Sequence, residues 1–192
     1  AECAAGRARA AAGSRGGMAG PITVLTTEDA EEKAAKVAGA AQGLEGAAVA
    51  TEKVNSYYWW EGKVNFDPEW RVAVTTSAPF EKARDEIAGV HSYDLPMIIY
   101  DLAAAPEGHL YWKGLIQAAD EDAATALAKT LVERRVVACA QVTPTGGLAV
   151  KTVAPCKAMV EESASGVDWS PIGGNDGYLK WLEDECVAAK TS

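Results

Sequence analysis

The sequence predicts a mixed α/β fold, built as two βαββαβ units in tandem, each an antiparallel sheet with helices on one face. Three observations carry that expectation. Over 21–108, β-branched and aromatic runs of strand length alternate with helical stripes in the order β-α-β-β-α-β. The same order restarts near residue 109. A short match, Glu28-Asp29-Ala30 with Ala35-Lys36, recurs 93 residues on as Glu121-Asp122-Ala123 with Ala128-Lys129.

In order along the chain, Pro21 opens ITVLTT (22–27), a β-branched strand. Thr27 is placed to cap a helix over 29–42 whose first turn is acidic, as the helix dipole favours. Residues 47–60 and 63–76 form a long hairpin turning at Glu61-Gly62, its second strand broken by Pro68. A helix over 78–90 carries Phe80, Ala83 and Ile87 at helical spacing, and 97–103 is a strand. This is the split βαβ order of ferredoxin-like sheets. The second unit reads as a strand over 109–118, a helix from Asp120 to about Arg135, and strands over 136–142 and 148–152. A short helix to about Ser163, a strand over 167–172 and a terminal helix from Gly177 follow. The expected organisation is an arm over 1–20, a first unit over 21–108 and a shortened second unit over 109–192.

Composition narrows the function. Hydrophobic residues are 48% of 192, enough for a core, and the net charge is -9. Residues 1–20 carry Arg7, Arg9 and Arg15 against Glu2 alone, so the rest is more acidic than the whole. Such a body repels phosphate backbones, which argues against nucleic-acid partners. No window reaches 18 uninterrupted apolar residues, so no transmembrane helix is expected. The four cysteines, Cys3, Cys139, Cys156 and Cys186, form no CxxC pair and read as isolated thiols in a reducing compartment.

The Ala/Gly/Arg-rich arm has no buriable face. It reads as the remnant of an organelle-targeted precursor, plastid before mitochondrion. The alternatives are a flexible tail, with Met18 as the start, and a cytoplasmic protein. An arm of this composition needs an external partner to order it, with Arg7, Arg9 and Arg15 as its contacts.

Several stretches resemble the CutA family of small trimeric ferredoxin-like divalent-cation-tolerance proteins. SYYWWEGKVNFD resembles the family's S-x-Y-x-W-x-G-K-[IV] hairpin at Ser56, Tyr58, Trp60, Gly62, Lys63 and Val64. HSYDLPMII is similar to its His-Tyr-Pro loop at His91, Tyr93, Pro96 and Ile98. In the second half, LVERRVVACAQVTP (131–144), AVKT (149–152) and GNDGYLKWLED (174–184) resemble the family's Cys segment, third-strand end and C-terminal signature. The hairpin and loop occur only in the first half, and the Cys segment and C-terminal signature only in the second. No site complete within one unit is therefore expected twice.

The resemblance implies weak binding of copper or another divalent cation, with His91 and Cys139 as the ligands it nominates. Read from the residues alone, His91 is a locally hydrogen-bonded loop residue, Asp94 and Asp101 are solvated, and Cys139 is an inert buried thiol. His91 and Cys139 sit in different units and are not expected to meet. No nucleophile–base pair, G-x-S-x-G or P-loop is present, so no enzyme is expected.

Tyr57, Tyr58, Trp59, Trp60, Phe66 and Trp70 crowd the hairpin, on both of its faces. A lone two-stranded arm is unstable in water. The aromatics therefore serve an interface, either with the second unit or, as the resemblance implies, with a neighbouring subunit. The expected function is a CutA-like, non-enzymatic oligomeric protein with an assembly or weak metal or small-ligand binding role. The alternative is a structural accessory subunit docked on a large organellar complex, such as a photosystem.

Overall fold

Residues 20–187 are described in the computed structural model of the protein; Arg7, Arg9, Arg15, Cys3 and Met18 lie outside them. Among the described residues eight strands and five α-helices follow in order: β1 Ile22–Glu28, α1 Glu31–Ala41, β2 Ala48–Trp60, β3 Lys63–Thr76, α2 Phe80–Ala88 and β4 Ile99–Asp101. Then come β5 Tyr111–Gln117, α3 Glu121–Glu133, β6 Cys139–Val142, β7 Gly147–Val153, α4 Lys157–Glu161, β8 Asp168–Gly174 and α5 Asp176–Glu185. Most expected elements appear within a few residues of their expected bounds.

Three local expectations are corrected. Thr27 does not cap α1, because β1 runs through Glu28 and the N-cap is Ala30, without a side-chain cap. Pro68 does not break β3. β1 pairs only with Trp70–Thr76, so beyond Trp70 the far side of β3 is a free edge, where a missing N–H costs nothing. The 93-residue match aligns unlike positions: Glu28 ends a strand, whereas Glu121 opens α3. By contrast, Glu61 and Gly62 turn the hairpin as expected, with φ of 52° and 78°, both positive as a tight two-residue turn requires. Asp120 opens α3 by accepting the N–H of Ala123 at 2.8 Å.

The larger correction concerns the sheets. They are not two separate sheets side by side. All eight strands form one closed antiparallel barrel in the order β1-β3-β2-β6-β7-β5-β8-β4. The strands of 22–101 occur as β4-β1-β3-β2, and those of 111–174 as β8-β5-β7-β6. Two seams join these sets. β2 pairs with β6, Tyr58 opposite Cys139 and Ser56 opposite Gln141. β4 pairs with β8, Ile99 opposite Gly174. An unpaired edge strand leaves a row of unsatisfied backbone groups, and closure removes it along the paired stretches.

The helices cover the outer face. Val24, Val72 and Val74 pack under Ala34, Val37 and Ile87 of α1 and α2. Ala140, Val150 and Leu148 pack under Ala128, Leu131 and Val132 of α3, in a larger core that also takes in Leu182 of α5. Alternation along the strands turns the other face into the barrel. That face is polar. Arg71 pairs with Glu52, and Lys113 with Asp101 at 2.7 Å, so Asp101 is not merely solvated. Lys151 is fully buried and donates to Gln141 Oε1.

Two measurements test this architecture. A Cβ on Gly174 would meet the Ile98 carbonyl oxygen at 2.8 Å and the Ile99 side chain at 3.0 Å. Gly174→Ala should therefore lower the unfolding free energy by about 1–3 kcal/mol in denaturant titration; an unchanged midpoint would mean that the β4–β8 seam is looser than described. The second test is the pH dependence of Lys151. Burial holds its ammonium group down at about 8, against an ordinary 10.5. The folded chain thus sheds this proton before the unfolded one does. The stability linked to it is complete above pH 10.5 and is lost as the pH falls through about 8. Over that window the wild type should lose about 3 kcal/mol more than Lys151→Met, at ~1.4 kcal/mol per pKa unit. Parallel curves for the two proteins would contradict it.

Candidate functional site

At one end of the barrel, where β2 meets β6, a cavity of about 400 Å³ opens between the two halves of the chain. The first half supplies Ser56, Tyr58 and Trp60 from β2, Asp67 and Glu69 from β3, and Tyr93, Leu95 and Met97 from the loop before β4. The second half supplies Cys139 and Gln141 from β6, with Tyr178 and Trp181 from α5. Thr27 and Asp29 complete the wall. The alternation of β2 explains its role: Ser56 and Tyr58 point into the barrel, while Tyr57 faces out into the core.

Two networks hold the first-half wall. Glu69 is buried; its Oε1 accepts the Tyr93 hydroxyl at 2.9 Å and its Oε2 accepts Ser56 Oγ. Tyr58 donates its hydroxyl to Asp67. Burial and these carboxylates push the Tyr58 and Tyr93 phenols well up, so both remain neutral donors. Beneath the loop, Glu28 is fully buried and accepts both the backbone N–H (2.9 Å) and the hydroxyl of Ser92. His91 Nδ1 lies 3.2 Å from the same carboxylate and accepts the Tyr93 N–H at 3.1 Å. The ring proton is therefore assigned to Nε2, which meets Thr26 Oγ1 at 3.0 Å. Burial pulls the imidazole below its usual range, against the opposing field of Glu28.

The second-half wall is tied to the first through Asn175. Its side chain accepts the Ile98 N–H and donates to the Pro96 carbonyl, both at 3.0 Å, and its own N–H meets the Ile98 carbonyl. The loop of one half is thus hung on the helix start of the other. Among the described residues, two polar atoms of this wall find no nitrogen or oxygen partner. The Tyr178 hydroxyl, on a residue 5% exposed, has no oxygen or nitrogen partner and adjoins the Cys139 thiol. The Trp181 indole N–H is buried without any partner. Burial pushes the Cys139 thiol up, which keeps it a poor nucleophile and a poor metal ligand.

The nominated metal ligands fare as follows. Cys139 lines the cavity, whereas His91 does not, and both its ring nitrogens are engaged. Among the described residues no three His, Cys, Asp or Glu side chains gather as a metal site would need. His91 and Cys139 as placed do not by themselves make such a site.

The expected interface aromatics divide. Tyr57 and Trp59 pack on the core of the second half, under Lys129 and Arg135, and Trp70 packs on the first core under Lys53. Tyr58 lines the cavity. Trp60 and Phe66 remain 47% and 51% exposed at the hairpin tip. His109 serves structure, its Nε2 lying against the Tyr111 and Ile172 carbonyls. Asn175, Tyr178 and Trp181 were visible in the sequence only as positions of the GNDGYLKWLED signature, with no site role attached, and Glu69 was not singled out. The signal that could have found them is the complementarity of the two sets of motifs, since what one half lacks the other keeps.

The comparisons with known proteins reach about half of the chain. The family model described as CutA1 divalent ion tolerance protein matches residues 22–115. The divalent-cation tolerance protein CutA of Archaeoglobus fulgidus is 35% identical over 78 residues, covering 40% of this chain and 74% of that protein. The CutA of Pyrococcus horikoshii is 36% identical over 59 residues, 30% of this chain and 58% of that protein. Among solved structures, the divalent cation tolerance protein of Thermus thermophilus is 28% identical and covers 45% of this chain and 88% of its own, with a TM-score of 0.39. With 35% identity over 74% of the Archaeoglobus protein's length, the chain belongs to the CutA divalent-cation tolerance family.

Proposed function

We propose that the chain is a fused pair of CutA-like units, each ferredoxin-like in its strand order and the second shortened. It works as a non-enzymatic protein that binds a small molecule in one composite site per chain. The observation that carries this reading is the convergence of complementary motifs on one cavity. The hairpin and loop of the first half face the Cys segment and terminal helix of the second. A cavity of about 400 Å³ with an aromatic wall and unsatisfied polar atoms is what small-ligand sites look like. Its thiol has no base within a hydrogen-bonded pair, which favours binding over catalysis. The relatives are named for divalent-cation tolerance, yet the donor set here favours a molecule over an ion. Phe66, exposed on the outward face of the hairpin tip, is the surface residue we assign to homo-oligomeric contacts.

The test is a thermal-shift panel on the full chain with organic cations, carboxylates, sugars, nucleosides and cupric ion, repeated on Trp181→Ala with its circular dichroism checked. One molecular class should stabilise the wild type by about 2–3 kcal/mol at a hundredfold excess over Kd, and Trp181→Ala should lose most of that shift. Stabilisation by cupric ion alone, by no member, or equally in the variant would overturn the reading.

A further inference from the structure

We infer that the cavity takes a small organic ammonium ion carrying an oxygen acceptor, an inference that rests on the small-molecule reading above. Three carboxylates line it beside five aromatic rings: Asp29, which pairs with Lys33 at 2.7 Å, and Asp67 and Glu69, which do not pair with a base; no lysine or arginine is among the described lining residues. The three basic side chains of the barrel face are committed elsewhere, Arg71 to Glu52, Lys113 to Asp101 and Lys151 to Gln141. Glu69 is held by two neutral hydroxyls and, among the described residues, makes no ion pair. The buried ammonium of Lys151 feels the Glu69 charge but makes no ion pair with it, so a cation in direct contact still relieves the field of this carboxylate. The field is felt around the site: Glu69 helps raise the phenols of Tyr58, Tyr93 and Tyr178.

The aromatic rings point the same way. Outside the cavity, Tyr57, Trp59, Trp70, Trp112 and Trp169 each carry a lysine or arginine of the protein over the ring. Among the described residues the five cavity rings, Tyr58, Trp60, Tyr93, Tyr178 and Trp181, have no such cation. An ammonium group among them gains the attraction of the ring faces.

The two unsatisfied groups set the remaining chemistry. The Tyr178 oxygen can accept from an ammonium N–H or meet a polarised methyl group. The buried Trp181 N–H only donates, so it needs an acceptor, which a hydroxyl or carbonyl on the ligand supplies. A bare divalent ion uses neither the rings nor the indole, and the oxygens of Glu69 already accept hydroxyls. An anion would meet three carboxylates.

Isothermal titration of the full chain decides this, with four probes: choline, tetramethylammonium, neohexanol (the uncharged carbon isostere of choline) and acetate. Choline should bind about tenfold or more tighter than neohexanol, the scale of one or two cation–ring contacts. Trp181→Phe, which keeps a ring and removes the N–H, should weaken choline and spare tetramethylammonium. Glu69→Gln should weaken both cations about tenfold. Equal affinity for choline and neohexanol, or tighter binding of acetate, overturns the cation assignment while the small-molecule reading stands. Silence towards all four probes, with the thermal panel responding to another class, overturns it in the same way. Silence in both experiments removes the site itself.

Discussion

Everything distinctive in this molecule depends on the pairing of strand edges from opposite ends of the chain. β2 lies against β6 and β4 against β8, and neither pair is close in sequence. A strand edge in water must find a partner, be covered or be charged. Here the two halves satisfy each other. The register of the first seam, Tyr58 opposite Cys139, brings the hairpin motif beside the Cys segment. The second seam places Gly174 and Asn175 against the strand that follows the His91 loop. The cavity is the space left where these seams approach at one end of the barrel.

Local patterning made most of the fold legible. β-branched runs, acidic helix starts and the Glu61-Gly62 turn each act over a few residues, so they can be read without knowing what lies across the barrel. Pro68 was misread for the same reason: its cost depends on whether β3 has a neighbour on that side, which is a long-range fact. The closure itself was not legible. A strand ready to be an edge and a strand about to be paired carry the same alternation, and nothing in β6 announces β2. The site inherits that blindness. Ser56, Tyr58, Tyr93 and Cys139 were visible as motif residues, but their meeting point was not. Trp181 was visible too, as part of the terminal signature, but nothing in a helix pattern says which cavity its indole N–H enters.

The interior of the barrel adds a second lesson about where polarity is tolerated. Helices supply apolar cover on the outside, and the inward face is left with Arg71, Lys113 and Lys151 against Glu52, Asp101 and Gln141. Such pairs stabilise little once desolvation is counted, and removing one partner costs much more than the pair contributes. They therefore fix which strands face each other more than they hold the barrel together. The hairpin aromatics show the complementary pattern. On the outward face Tyr57, Trp59 and Trp70 are spent on packing and on lysines and arginines of the protein while Phe66 stays exposed, and on the inward face Tyr58 and Trp60 are left open.

The stretch between β4 and β5, residues 102–110, has a consequence of its own. It makes the two walls of the cavity parts of one covalent chain, so their meeting is an intramolecular event whose effective concentration does not change on dilution. A cavity assembled from separate subunits would empty as those subunits dissociate, and its occupancy would report on protein abundance as well as on ligand. A cavity closed within one chain reports on ligand alone. It also frees each half from matching its own copy. One half can keep the hairpin and the loop, the other the thiol strand and the aromatic helix, with no symmetry-related site to maintain.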